Sequence, residues 1–128
     1  MKFFTVLALM LALNVQTAMA YTEVTDQNYK QTLEKTADTG ANVALTFYAS
    51  WCPHCKNLEP KLDAAEKKFK NVKFMRVDIE KNPMLGHGIP FFPLTVLLKN
   101  KTGAGLIKGD VQTQKELDET LEKTFGSK

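Results

Sequence analysis

Two cysteines and two histidines are all that 128 residues offer of the thiols and imidazoles that hold a structural zinc or bridge chains. So few thiols exclude a framework of several disulfides, and a four-ligand zinc site would consume the whole set. No stretch beyond the first residues is apolar enough to cross a bilayer, which takes about 20 apolar positions. A basic patch with interleaved aromatics, the footprint of a nucleic-acid binder, is also missing. The formal charge is only +3, and Lys alternates with Asp and Glu throughout. Lys67, Lys68, Lys70 and Lys73 read as a solvated helix face and turn. Neither internal repeats nor low-complexity linkers occur.

The beginning of the chain has its own pattern. Met1-Lys2 gives a positive start, Phe3 to Leu13 is almost unbroken apolar sequence, and Ala18-Met19-Ala20 supplies small residues. This is the order of a secretory signal, with cleavage expected after Ala20. Residues 1–20 are therefore read as a signal peptide and residues 21–128 as one domain, large enough to bury a core. No stable membrane insertion is expected after cleavage.

Asp26 reads as the cap of a helix carrying Tyr29, Leu33 and Ala37, with Gly40 as its stop. Val43 to Tyr48 is a short continuous apolar run, as in a strand buried on both faces. A helix follows with Leu58, Leu62, Ala65 and Phe69 on one face, and Pro60 is expected to kink it. Val72 to Ile79 reads as a second strand, Asn82-Pro83 as the start of an irregular segment, and Leu94 to Leu98 as a third strand. Lys99 to Gly103 reads as a turn leading to a short strand at Leu106-Ile107. Thr113 and Glu116 form a capping box for a last helix bearing Leu117, Leu121 and Phe125. Alternation of this kind predicts an α/β fold, a central sheet with helices on both faces.

Cys52 and Cys55 fall where the first buried strand gives way to a helix. A bridge across Cys-x-x-Cys closes a very small loop and constrains the unfolded chain little, so the pair calls for a chemical role. Pro53 suits a first helical turn, because its missing N–H had no partner there. Cys52 then faces the free amides and the positive end of the helix, which stabilise a thiolate. His54 is expected to add a second stabilising charge beside the same sulfur. Stabilising the reduced form makes a disulfide more oxidising, which favours an oxidase or isomerase over a reductase. Cys55, one turn further in, is expected to be the less exposed thiol and to resolve mixed disulfides. Zinc or copper, a haem and a structural bridge are weaker readings. Pro53 holds His54 away from a shared metal, and Lys56 stands where haem attachment needs His. Neither a cofactor nor a metal is expected.

The segment Phe47-Tyr48-Ala49-Ser50-Trp51-Cys52-Pro53-His54-Cys55-Lys56-Asn57-Leu58-Glu59-Pro60 resembles the active-site region of the thioredoxin superfamily. It is most similar to a catalytic domain of protein disulfide isomerase. The similarity continues through Val77-Asp78-Ile79-Glu80-Lys81-Asn82-Pro83 and covers essentially all of residues 21–128. It implies a thioredoxin-like fold with a central mixed sheet, Cys52 as nucleophile and Cys55 as resolving thiol. The family also has a cis-proline facing the pair; Pro93, directly before a strand, is the better candidate and Pro90 the second. The Phe92 backbone would then pair with an extended substrate, and Trp51, Ile89, Pro90, Phe91 and Phe92 would form an apolar rim. Phe91 and Phe92 could equally be core residues.

Departures from the family are specific. Pro-His replaces the Gly-His of the isomerases and matches oxidising periplasmic enzymes, yet the chain is too short for their helical insertion. Thr46 stands where the family has a buried carboxylate that moves the proton of the resolving thiol, leaving that task to water or another group. No Arg lies near Gly109-Asp110-Val111, where isomerases often have one.

The expected function is that of an exported thiol-disulfide oxidoreductase that forms or isomerises disulfides. Its partners would be protein thiols and disulfides of exported or unfolded substrates and a redox protein that regenerates the pair. A monomer is expected. The alternatives are a dedicated disulfide reductase and a non-catalytic binding module or chaperone. The short leader, and an ending without a retention tetrapeptide, favour a periplasm or secretion over the endoplasmic reticulum lumen.

Overall fold

The apolar run around Val43 forms the centre of a five-stranded sheet. The computed structural model describes residues 21–100 and 102–126. In chain order the elements are β1 (Thr22–Glu23), α1 (Tyr29–Asp38), β2 (Asn42–Tyr48), α2 (Pro53–Lys68) and β3 (Val72–Asp78). They continue with α3 (Pro83–Gly86), β4 (Leu94–Lys99), β5 (Thr102–Lys108) and α4 (Gln114–Phe125). The signal peptide expected at residues 1–20 lies outside the described residues.

The strand order is β1-β3-β2-β4-β5. β3 runs parallel to both β1 and β2, while β4 is antiparallel to β2 and to β5. The sheet is thus mixed, with β2 at its middle. Alternation along β2 divides its side chains between two cores. Ala44 joins Phe74 and Leu97 against Leu58, Leu62 and Ala65 of α2 and Leu117, Leu121 and Phe125 of α4. Val43, Leu45 and Phe47 turn the other way, with Met75 and Val77, toward Tyr29 and Leu33 of α1 and Leu85 of α3. Helices therefore cover both faces. Each of these large apolar side chains stabilises the fold by roughly 1.5–3 kcal/mol when fully buried.

Several expectations shift in detail. α1 is not capped by Asp26; Thr25 and Asn28 cap each other, with Asn28 N donating to Thr25 Oγ1 at 3.1 Å and Thr25 N donating to Asn28 Oδ1 at 2.7 Å. The Asp26 carboxylate instead accepts from Met84 N at 3.1 Å and Leu85 N at 2.9 Å, capping α3 from 58 residues away. The segment after Asn82 is accordingly a helical turn, not irregular chain. β1 was invisible as a pattern because two residues are too short to show a period. β5 extends from Thr102, so the turn between β4 and β5 is tighter than five residues, with Asn100 at φ 54°. α2 runs through Pro60 as one helix. The expected capping box of α4 is present, with Glu116 N donating to Thr113 Oγ1 at 3.1 Å and Gln112 N donating to the Glu116 carboxylate.

Candidate active site

β2 ends at Tyr48, and the chain turns through Ala49 to Trp51 into α2. Cys52 keeps extended backbone angles, φ −81° and ψ 118°, and Pro53 begins the helix. The Cys52 sulfur accepts from Cys55 N at 3.3 Å. It occupies the place that a Ser or Asp oxygen takes at other helix starts, facing backbone donors that have no helical partner. The Cys52 thiol also points at the Phe92 carbonyl, 3.9 Å away. Two segments 40 residues apart thus meet on one sulfur.

The Phe92–Pro93 peptide bond is cis, so Pro93 rather than Pro90 takes the cis position beside the dithiol. The sheet brings it there. β4 starts where its antiparallel neighbour β2 ends, with Leu94 opposite Phe47. The Pro93 carbonyl is held by Gly109 N at 2.8 Å.

Cys55 shares a small buried cluster with Ala49 and Cys52, against which Tyr48, Ile79 and Phe92 pack. Burial pushes its thiol up from 9.0 to about 12, and a hydrogen bond to the Cys52 side chain acts in the same direction. At neutral pH Cys55 is therefore a thiol and a donor toward Cys52. The expectation that Cys55 is the less exposed of the two is not met. Cys52 is 4% exposed and Cys55 7%, because the Phe92 segment folds over Cys52 itself.

The aromatic rim forms only in part. Trp51 is 60% exposed and meets Phe92 edge-on, with ring centroids 5.3 Å apart. Phe92 is half-buried against the thiols, Phe91 lies 40% exposed, and Ile89 packs into the α1-side core instead. Neither Phe belongs to the main core. Pro53 and His54 are exposed on the first turn of α2. His54 lines a groove of about 740 Å³ with Asn57, Phe92, Pro93 and Lys108. The Cys52 sulfur accepts from Cys55 N and its thiol donates to the Phe92 carbonyl; the imidazole of His54 is in neither bond.

A second feature of the site went unread in the sequence. Arg76, the chain's only arginine, is 4% exposed on β3, directly beside Thr46 in register. A buried charge must be paired to be tolerated. Arg76 donates to Asp63 at 2.6 Å, lies 3.5 Å from Glu59, and stacks its guanidinium 3.9 Å from the Tyr21 ring centroid. A lone Arg inside the apolar stretch Val72–Ile79 was the available signal. Thr46 itself is buried and shares a 2.9 Å hydroxyl hydrogen bond with Thr95. Asp110, near the groove, is paired with Lys61 at 3.2 Å. Among the described residues no cluster of three or more His, Cys, Asp or Glu could hold a metal ion.

The family profile named Thioredoxin matches residues 20–123. The chain belongs to the thioredoxin family. Thioredoxins are thiol-disulfide oxidoreductases, and in this thioredoxin domain the two free thiols, Cys52 and Cys55, stand together at the start of α2. Among its relatives, Thioredoxin 1 of Nostoc sp. is 28% identical over 107 residues, covering 81% of this chain and 96% of that protein. Thioredoxin H5 of Oryza sativa subsp. japonica is 34% identical over 82 residues, 62% of this chain and 61% of the rice protein. Thioredoxin 2 of Plasmodium berghei is 39% identical over 82 residues, with 52% of its own length spanned. The chain thus matches only about half to three-fifths of the last two. In fold, a mutant thioredoxin from Halobacterium salinarum superposes with a TM-score of 0.68 at 21% identity, covering 85% of this chain and 95% of that one.

Proposed function

We propose that the protein is an exported thiol-disulfide oxidoreductase that forms or isomerises disulfides in other exported proteins. The observation that carries the reading is the placement of the Cys52 sulfur between the start of α2 and the Phe92–Pro93 turn. Cys52 attacks, or is attacked by, a substrate sulfur, giving a mixed disulfide. The Cys55 N–H and the positive end of α2 hold the charge on Cys52 as it develops or departs. In disulfide donation a second substrate thiolate attacks the substrate sulfur of that mixed disulfide, closing the substrate's disulfide and leaving Cys52 and Cys55 reduced. In isomerisation or reduction Cys55 attacks Cys52 instead, which closes the ring and releases the substrate thiol. An extended substrate segment lies against Phe92, with Trp51 and the groove beside His54 receiving its flanking side chains.

The Pro53-His54 dipeptide and the resemblance to an isomerase domain support the oxidising direction. The named relatives, all thioredoxins, support a second reading as a dithiol reductase. Equilibrating the purified protein with glutathione redox buffers decides between them. A Cys52–Cys55 potential near or above about −180 mV supports the disulfide donor or isomerase, and one near about −270 mV the reductase. A pair that glutathione cannot reduce overturns both. Export to a periplasm or the medium is tested by the mass of the secreted protein, expected to begin at Tyr21.

A further inference from the structure

The closing of the Cys52–Cys55 disulfide requires Cys55 to lose a proton it holds tightly. A thiol titrating at about 12 is ionised in about one molecule in 10⁵ at pH 7, too few for rapid attack unless a base takes the proton. Beneath Cys55 lies a cavity of about 40 Å³. Cys55 forms part of its wall, and so do Thr46, Tyr48, Glu59 and Arg76. A volume of that size has room for about two or three water molecules, and these polar groups are suitable partners for them.

We infer that Glu59 is the proton acceptor for Cys55 when the Cys52–Cys55 disulfide closes, and the donor when it opens, through water in the cavity they share. The inference rests on the dithiol reading above and extends it.

Glu59 stands one helical turn after Cys55 on α2, so both side chains face the same cavity. Its carboxylate is 56% exposed, which lets it hand the proton on to bulk water. Arg76 of β3, 3.5 Å away, holds the carboxylate at the cavity mouth. The other titratable groups nearby are unsuited. Tyr48 of β2 is pushed up to about 12 by burial, so it can relay but not accept at neutral pH. Tyr21 lies over the Arg76 guanidinium. Asp63 is engaged by Arg76 at 2.6 Å, and Asp78 accepts from the backbone of Glu80 and Lys81. Neither these two carboxylates nor Glu23 and Glu66 line the cavity. Thr46 brings a hydroxyl already bonded to Thr95.

The step balances without any further reactant. The Cys55 S–H bond breaks and its proton passes to the Glu59 carboxylate. The Cys55 sulfur bonds to Cys52, the bond from Cys52 to the substrate sulfur breaks, and the substrate leaves as a thiolate. The substrate disulfide is reduced by two electrons and the dithiol oxidised by two.

The test mixes the reduced protein with one equivalent of Ellman's reagent in a stopped-flow instrument. The first thionitrobenzoate released reports the adduct on Cys52, and the second, whose rate is independent of reagent concentration, reports attack by Cys55. With Glu59 as base, the second rate should stay flat through neutral pH. Glu59→Gln should slow it by about tenfold or more at pH 7 and restore a steady tenfold rise per pH unit. Glu59→Asp should keep the flat profile at a reduced rate, and Asp63→Asn should match the wild-type protein. Equal rates and slopes in wild type and Glu59→Gln would overturn the inference while leaving the dithiol reading intact. An Asp63→Asn profile like that of Glu59→Gln would also overturn it, since the effect would then run through the pairing of Arg76. A wild-type protein that never releases the second equivalent would overturn the dithiol reading as well.

Discussion

Replacing Cys55 with alanine should make the reduced protein more resistant to alkali. In the folded protein the Cys55 thiol is raised from 9.0 to about 12, first by burial and then by its bond to Cys52. The unfolded chain surrenders that proton near pH 9, whereas the folded chain keeps it. Stability linked to the thiol is therefore fully present below pH 9 and lost as pH rises toward 12. At pH 10 the loss is about 1 kcal/mol relative to pH 7, which for a domain of this size is a fall in Tm of about 4–8 °C. Tyr48 is raised from 10.0 to about 12 and contributes in the same direction, but it is present in both proteins. The measurement is thermal unfolding under a phosphine reductant between pH 7 and 10, comparing wild type with Cys55→Ala. The variant carries a pH-independent penalty for the lost sulfur, so the quantity of interest is the change in the difference between the two Tm values. That difference should shrink or reverse as pH rises. Parallel curves across the range would refute the account of Cys55 as a buried, proton-retaining thiol.

Three further outcomes follow from particular contacts. Asp26→Ala removes the acceptor for Met84 N and Leu85 N and should lower stability in urea by about 0.5–2 kcal/mol, as loss of a helix cap does. Gly86→Ala would put a methyl 2.9 Å from Ile79 Cβ and 3.1 Å from its carbonyl oxygen; the forced shift should cost about 1–3 kcal/mol by chemical denaturation. Phe92→Ala removes the ring that packs on the dithiol and meets Trp51 edge-on. Alkylation of Cys52 by a maleimide should accelerate severalfold, with a change in Trp51 fluorescence, and an unchanged rate would show that Phe92 does not screen the sulfur.

Periodicity made the large elements legible because burial imposes it. Leu58, Leu62 and Ala65 on α2, and Leu117, Leu121 and Phe125 on α4, are all buried where the spacing put them. The dithiol was legible because Cys-x-x-Cys at a strand-to-helix junction is a local pattern. What escaped notice is contact between distant segments. Asp26 has the chemistry of an N-cap, and nothing local says that it caps α3 instead of α1. Arg76 draws its meaning from Tyr21, Glu59 and Asp63, which lie on two other stretches of chain. The closeness of Phe92 to the Cys52 sulfur depends on how β4 pairs with β2; no single-strand pattern encodes it, and it was expected only through the family resemblance.

The antiparallel pairing of β2 with β4 also bears on where this architecture can grow. The two arms of the site are fixed by neighbouring rungs of one ladder, Phe47 opposite Leu94, and the connection between β3 and β4 is not what sets their separation. Chain added at the exposed His87-Gly88 step of that connection therefore leaves the sulfur and the cis turn in place. Lengthening a loop is cheap, about 0.6 kcal/mol for each doubling. That connection is the natural insertion point at which a descendant or an engineered variant could acquire a new lobe over the groove, changing which proteins it selects while its redox pair stays where the sheet put it.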